Sequence, residues 1–289
     1  MPLLDKETIR GIAGDFADNS PANRVSAEIA IRPDLAGMRI YQRPLVGFAS
    51  ATDPLFEEML RPEIIGDHFV TPVGWLPGAL SVISFFMPFT DAVVDSNRID
   101  PILPSDEWLH GRIEGQGAVN ALGAVLVREM ESAGYQAIYP SSSERFWSWA
   151  KPAGINTRGM RVPGHTSNWS ERHIAYACGL GTFSLSMGLI TEKGTAGRFG
   201  SVVTTMPIPA DVRPYAKHDE YCTRCGVCAK HCFVDAITLE NGKNKNICEL
   251  LLDERKIQYK PRYGCGKCNV NVPCERKNPT RRAAVTVAE

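Results

Sequence analysis

CTRCGVCAKHC, residues 222–232, spaces four cysteines as Cys222-x2-Cys225-x2-Cys228-x3-Cys232. A tight loop of this spacing presents three thiolates to three corners of an iron–sulfur cubane, while the turn that follows carries the fourth away to another cluster. Gly226 lets backbone amides approach the inorganic sulfurs, and such hydrogen bonds help set the potential. Phe233 stands where a proline usually follows the fourth cysteine. Residues 233–237 are expected to form the short helix that normally comes next.

Working outward, the second set of thiols is irregular: Cys248 alone, then Cys265-x2-Cys268-x5-Cys274. By the crossing logic, Cys222, Cys225, Cys228 and Cys274 bind one [4Fe–4S] cluster, and Cys232, Cys248, Cys265 and Cys268 bind the other. Eight thiolates fill two cubanes with none left over. The alternative is one cluster plus a zinc site held by four cysteines. The ninth cysteine, Cys178, reads as a packed thiol rather than a ligand. From Cys222 onward there are 13 Lys/Arg against 7 Asp/Glu. A basic shell of this kind offsets the charge of anionic clusters; RNA binding is the competing explanation.

The rest of the chain is too large for an electron carrier alone. It has 289 residues, 44% hydrophobic and 22% charged, with 32 basic and 32 acidic side chains. Zero net charge gives no global argument for nucleic acid or an anionic membrane. The longest apolar run, residues 79–89 (ALSVISFFMPF), is shorter than a bilayer span and reads as a buried strand. The amphipathic N-terminus does not resemble a signal peptide, so the expected location is cytoplasmic, where clustered cysteines point to metal rather than disulfides. Helices are expected over residues 5–16, 105–133, 141–150 and 170–178, and strands over 39–48, 81–86, 185–190 and 198–206. Residues 207–214 read as a linker. The expected organisation is an α/β domain over 1–214 followed by a two-cluster, ferredoxin-like module over 215–289.

Between the helix ending near Cys178 and the strand ending near Met206, Gly179, Gly181, Gly188, Gly194, Gly197 and Gly200 make the sequence glycine-dense. This is not a dinucleotide fingerprint. Gly179-x-Gly181 follows a helix rather than a strand, and Ser184 holds the third glycine position.

The order Trp75-Leu-Pro-Gly-Ala79, Ser81-Val-Ile83, Ala177-Cys-Gly-Leu-Gly181, Leu189-Ile-Thr191, Arg198-Phe-Gly200 and then the two-cluster module resembles the epoxyqueuosine reductase family. It is more distantly similar to the reductive dehalogenases. The resemblance covers roughly residues 70–280. It implies a nitroreductase-like α/β domain that binds base-off cobalamin, with Gly179, Gly181, Thr182, Ser184, Gly197 and Gly200 near the corrin, and clusters that reduce the cobalt. No Asp-x-His-x-x-Gly cobalt-ligand motif is present, as base-off binding requires. The sequence departs from the family in two places. The family's Arg-Gly-Arg-Asp-Tyr acid is matched only by His110-Gly-Arg-Ile-Glu114, with Ile113 at the aspartate position, and the helical extension used around tRNA is missing.

Proton donors are therefore sought elsewhere, in Glu114 and in His165, with Tyr135 and Tyr139 as weaker candidates. The leading expectation is a cobalamin-dependent reductase of a small or nucleotide-like substrate, fed by a ferredoxin- or flavodoxin-like donor. The alternatives are a reductive activator for a partner's corrinoid and an epoxyqueuosine reductase acting on tRNA. No membrane partner is expected.

Overall fold

Ser81–Pro88 (VISFFM between a serine and a proline) is buried at all eight positions, and its side chains divide by strand parity. Ile83, Phe85 and Met87 enter one core, while Val82 and Phe86 enter the layer on the opposite face. A strand apolar on both sides needs cover on both, and it forms the middle of an antiparallel sheet. The computed structural model describes residues 4–280. The sheet runs in the order β1 (Leu45–Ser50), β2 (Ser81–Pro88), Gly197–Thr204 and β3 (Ala137–Ile138). Its register pairs Phe86 with Leu45 on one side and with Phe199 on the other.

Helix α1 (Lys6–Asn19) is capped by the Asp5 side chain, which accepts from Thr8 N. After α2 (Asp91–Ile99), the long helix α3 (Asp106–Ser132) begins at Ser105, whose hydroxyl accepts from Trp108 N at 3.1 Å. Gly134, at φ +88°, follows its end. Ile9 of α1 and Val119, Leu122 and Leu126 of α3 cover the first face. Ile174 and Ala177 of α4 (Glu171–Ala177) cover the other. A hairpin, β4 (Gly181–Phe183) with β5 (Leu189–Thr191), leads into the last long strand, β6 (Gly197–Thr204).

The cysteine-rich end holds α5 (Val227–Lys230), a two-stranded ribbon (Ile237–Thr238 with Gly242–Lys243) and α6 (Lys245–Gln258), which carries Cys248. Among the described residues, no helix is long and apolar enough to cross a membrane.

Four sequence expectations are corrected. Residues 141–150 are not a helix: Pro140–Ser142 make one 3-10 turn and Ser148–Trp149 pair with Thr166–Ser167. Serine hydroxyls compete for the backbone there, and the Arg158 guanidinium takes the carbonyls of Glu144, Arg145 and Phe146 out of any helical ladder. Residues 233–237 turn into the ribbon instead of forming a helix, with Asp235 at φ +52°. The strand expected from residue 39 starts at Leu45. The strand expected over 185–190 begins only at Leu189, because Ser184 Oγ and Ser184 N both close a turn onto Gly188 O. Residues 207–214 pack closely: Ser81 Oγ accepts from Ile208 N, and Asp211 exchanges hydrogen bonds with the Phe48 backbone along the sheet edge.

Candidate functional site

The cysteine-rich end docks through backbone, and glycine makes the approach possible. Gly266, at φ +75° between Cys265 and Cys268, lies so close to the Trp108 indole of α3 that a Cβ would stand 2.1 Å from the ring. A Cβ on Gly194, in the turn before β6, would meet Glu275 O at 2.2 Å. Around that turn, Thr195 N donates to Cys274 O at 2.9 Å, and Ala196 N to Glu275 O at 3.1 Å. Buried Glu275 receives Arg98 of α2. Asn97 Nδ2 donates to Cys265 O at 3.0 Å. Leu185 N points at Cys222 Sγ at 3.4 Å, a backbone donor to a thiol ligand.

The eight thiols fall into two groups. Cys222, Cys225, Cys228 and Cys274 line one small cavity, whereas Cys232, Cys248, Cys265 and Cys268 stand in the wall of a larger one. Electrostatics give the same division. Burial, then Cys228, Cys222 and Cys225, push the Cys274 thiol up to about 12. Burial raises Cys268 as well, and Cys248 and Cys232 push it in the same direction. Thiols crowded in this way are relieved when all ionise onto iron. Cys228 feels Cys268 across the two groups, which places the groups close to one another. All nine cysteines are free thiols. Among the described residues, no group of three or more His, Cys, Asp or Glu side chains is drawn close enough to hold a metal ion as placed. Cys178 is buried, its thiol raised well above its ordinary value by burial, with Val82 O at 3.7 Å.

The larger cavity, about 560 Å³, lies between this end of the chain and the sheet. Its wall combines the second cysteine group with Trp108, Trp169, Phe199, Arg112, Arg198 and Glu171. Two polar atoms of the wall, Thr195 Oγ1 and Arg198 Nε, are buried without a hydrogen-bond partner. Such groups cost free energy unless something supplies a partner.

Glu171, in the first turn of α4, is the acid that sequence reading missed. Ser141 Oγ donates to one carboxyl oxygen at 2.5 Å and Ser201 Oγ to the other at 2.6 Å, and Ser201 in turn receives Trp169 Nε1 at 2.9 Å. Burial pushes the carboxyl up to about 7 against those hydrogen bonds. Held by two hydroxyls and lining the cavity, it is a group suited to exchange a proton near neutral pH.

The residues singled out from sequence lie in several places. Glu114 is outside the cavity lining: it takes His110 Nδ1 at 3.0 Å and Arg262 Nε at 3.0 and 3.1 Å. Burial opposes ionisation, but these hydrogen bonds outweigh it and hold the carboxyl below its ordinary range. His110 Nε2 accepts from Ile31 N, so the proton resides on Nδ1 and faces Glu114. His165 is also outside the lining, with Nε2 2.6 Å from Asn246 Oδ1 of α6. Tyr139 is buried and donates to Asn120 Oδ1, and Tyr135 packs on the main core. Gly197 lines the large cavity. Ser184 lines both the cavity of the first cysteine group and a third cavity, of about 890 Å³, beside His173 and Tyr176. Gly181 and Gly200 have packing duties, since a Cβ would collide with Ile190 O at 2.0 Å or with the Phe85 ring at 2.4 Å. Thr182 is buried and accepts from Tyr221 N at 2.8 Å. Gly179, at φ +81°, turns the chain out of α4 beside Arg213.

Residues 215–238 match the 4Fe–4S binding domain family. That span contains Cys222, Cys225, Cys228 and Cys232. No curated protein matches the chain. Among solved structures, it is similar to an epoxyqueuosine reductase in complex with an epoxyqueuosine-modified tRNA-Tyr stem loop: 18% identity, TM-score 0.47, covering 80% of this chain and 61% of that one. It is similar to epoxyqueuosine reductase from Bacillus subtilis at 19% identity and TM-score 0.45, covering 81% and 62%. A B12-dependent reductive dehalogenase gives 16% identity and TM-score 0.48, covering 82% of this chain and 30% of that one. The chain thus spans about three fifths of these epoxyqueuosine reductases and under a third of the dehalogenase.

Proposed function

We propose that the protein is an iron–sulfur reductase in which two [4Fe–4S] clusters deliver electrons into the large cavity, where a base-off corrinoid reduces the substrate. The observation that carries this reading is the wall of that cavity, which four cysteines of one cluster group share with an aromatic and cationic lining. Electrons entering through the first group reach the second through its neighbour, and the second opens onto the reaction space.

The residues present fit a corrinoid. Phe199, with the edges of Trp108 and Trp169, gives the wall an apolar face, and Thr195 Oγ1 is an unpaired group that a rim amide can satisfy. When bound, the corrinoid supplies a low-potential two-electron reductant. The chain's own part is to exclude water with the aromatic wall, to hold the substrate, and to keep a proton on Glu171 between Ser141 and Ser201. A physiological donor of low potential, ferredoxin- or flavodoxin-like, and a cytoplasmic setting belong to the same reading.

Metal analysis of anaerobically purified full-length protein tests it. About eight irons per chain and uptake of one cobalt on incubation with cobalamin are expected, with the cobalt reduced to Co(I) when the clusters are reduced. Full iron with no cobalt uptake would sink the reductase reading and leave a reductive activator of a partner's corrinoid. Binding to a tRNA anticodon stem loop at low salt would favour the tRNA-modifying alternative.

A further inference from the structure

Five cations line the large cavity, and only three of them answer to the cysteines. Arg172 and Lys243 feel Cys268, and Lys243 feels Cys248 as well. Lys267 Nζ is bound to Asn97 O at 2.7 Å and Asn97 Oδ1 at 3.1 Å, and it feels Cys265. Arg112 and Arg198 stand apart from this cluster shell. Arg198 Nη2 donates to Arg112 O at 3.0 Å, and its charged or ionisable neighbours are Arg112 and the tyrosines Tyr41, Tyr263 and Tyr139. Arg112 donates to Tyr263 Oη at 2.8 Å and lies over that ring at 4.6 Å. Among the described residues, neither makes an ion pair with a carboxylate. Glu171, the one carboxylic acid in the wall, is engaged by Ser141 and Ser201 instead. Two guanidinium groups in the wall of one partly dehydrated cavity repel each other. Burial and the Arg112 charge bring Arg198 down to about 10, which leaves Arg198 cationic at neutral pH.

On the reading that this cavity is the reaction space, we infer that Arg112 and Arg198 form an anion site that holds the substrate by a carboxylate or phosphate group. Planar guanidinium forks match either oxyanion in two-point contact. Arg198 Nε, buried and unpaired, is a donor such a group would satisfy. Trp108, Trp169 and Phe199 would then flank the body of an unsaturated or aromatic substrate within reach of Glu171.

Calorimetric titration of the iron-loaded full chain at low ionic strength, with sodium phosphate and separately with sodium benzoate, tests the inference and distinguishes the two anion types. One-to-one binding of at least one of them is expected. Arg112→Met and Arg198→Met should each weaken it at least about tenfold, and the corresponding lysine variants should recover part of the loss. Absence of binding to both anions, or binding unchanged in both methionine variants, overturns the site. Repeating the titration with cobalamin present separates substrate from cofactor. Retained binding supports a substrate anion, whereas loss hands the pair to the corrinoid and overturns the assignment. Iron measured on the same samples keeps the two readings distinct: full iron without anion binding refutes this site alone, and anion binding without iron refutes the redox reading alone.

Discussion

Glu171 shows how one side chain can be invisible in sequence and central in structure. A glutamate just after Ser170 at a helix start reads as a charge favoured by the helix dipole. Its two hydroxyl partners lie thirty residues away in either direction, and its burial comes from the cavity wall they build. Because its carboxyl rises from 4.5 to about 7 on folding, the native state keeps a proton that the unfolded chain releases across that interval. Stability therefore falls as pH rises through the window and levels off above it. Glu171→Gln should flatten this dependence, closing a difference of at most about 3 kcal/mol between pH 4.5 and 7. Denaturant unfolding at several pH values checks it; an unchanged slope would mean that the carboxyl is already ionised in the folded protein. Glu114 behaves oppositely, since its partners His110 and Arg262 hold it ionised.

At the scale of elements, the docking of Gly266 against Trp108 can be separated from ordinary backbone strain. Gly242 also sits at positive φ, but a Cβ there would meet nothing nearer than Leu185 O at 3.9 Å. Gly242→Ala should cost about 1 kcal/mol and leave iron content intact. Gly266→Ala must push the Cys265–Cys268 loop off α3, and iron should fall from about eight to about four per chain. Equal iron in the two variants would show that the loop does not depend on this contact. Regular elements were legible where the pattern was strong: the period of α3 and the apolar run of β2 both stand as read. The stretch over 141–150 was not, because a helix and a serine-rich turn share its composition and Arg158, far along the chain, decides between them. The ribbon after Cys232 was hidden for a related reason, since residues 233–237 are too few to show a period. Glycines were legible as glycines only. Whether Gly200 served a ligand or the Phe85 ring depended on a sheet register that composition does not reveal.

For the molecule as a whole, the proposed interleaving of cluster ligands is the property most open to test. Cys232 belongs to the first sequence run but stands with the second group, and Cys274 does the reverse. Cys274→Ser should therefore remove the cluster of Cys222, Cys225 and Cys228, and Cys232→Ser the one facing the cavity. Electron paramagnetic resonance of the reduced variants should show a single, uncoupled cluster in each; on the proposed route, Cys232→Ser blocks reduction of added cobalamin while leaving the cluster of the first group reducible, and Cys274→Ser removes the entry point for electrons. If both variants lose the same cluster, the exchange is wrong. The cavity itself could not be read from sequence, because its walls come from α3, α4, β6 and the cysteine-rich end, which meet only after folding.

The strap from Thr195 and Ala196 to Cys274 and Glu275 has a consequence for biogenesis. If Cys222, Cys225, Cys228 and Cys274 hold one cluster, the first three of these thiols emerge from the ribosome together, but Cys274 is made much later and is positioned by a turn beside β6. A nascent chain can offer iron only three thiolates at that site. On the proposed ligand set, completion of that metal centre would follow synthesis of Cys274 and closure of the sheet, so that cluster insertion reports on whether these two parts of the chain have come together.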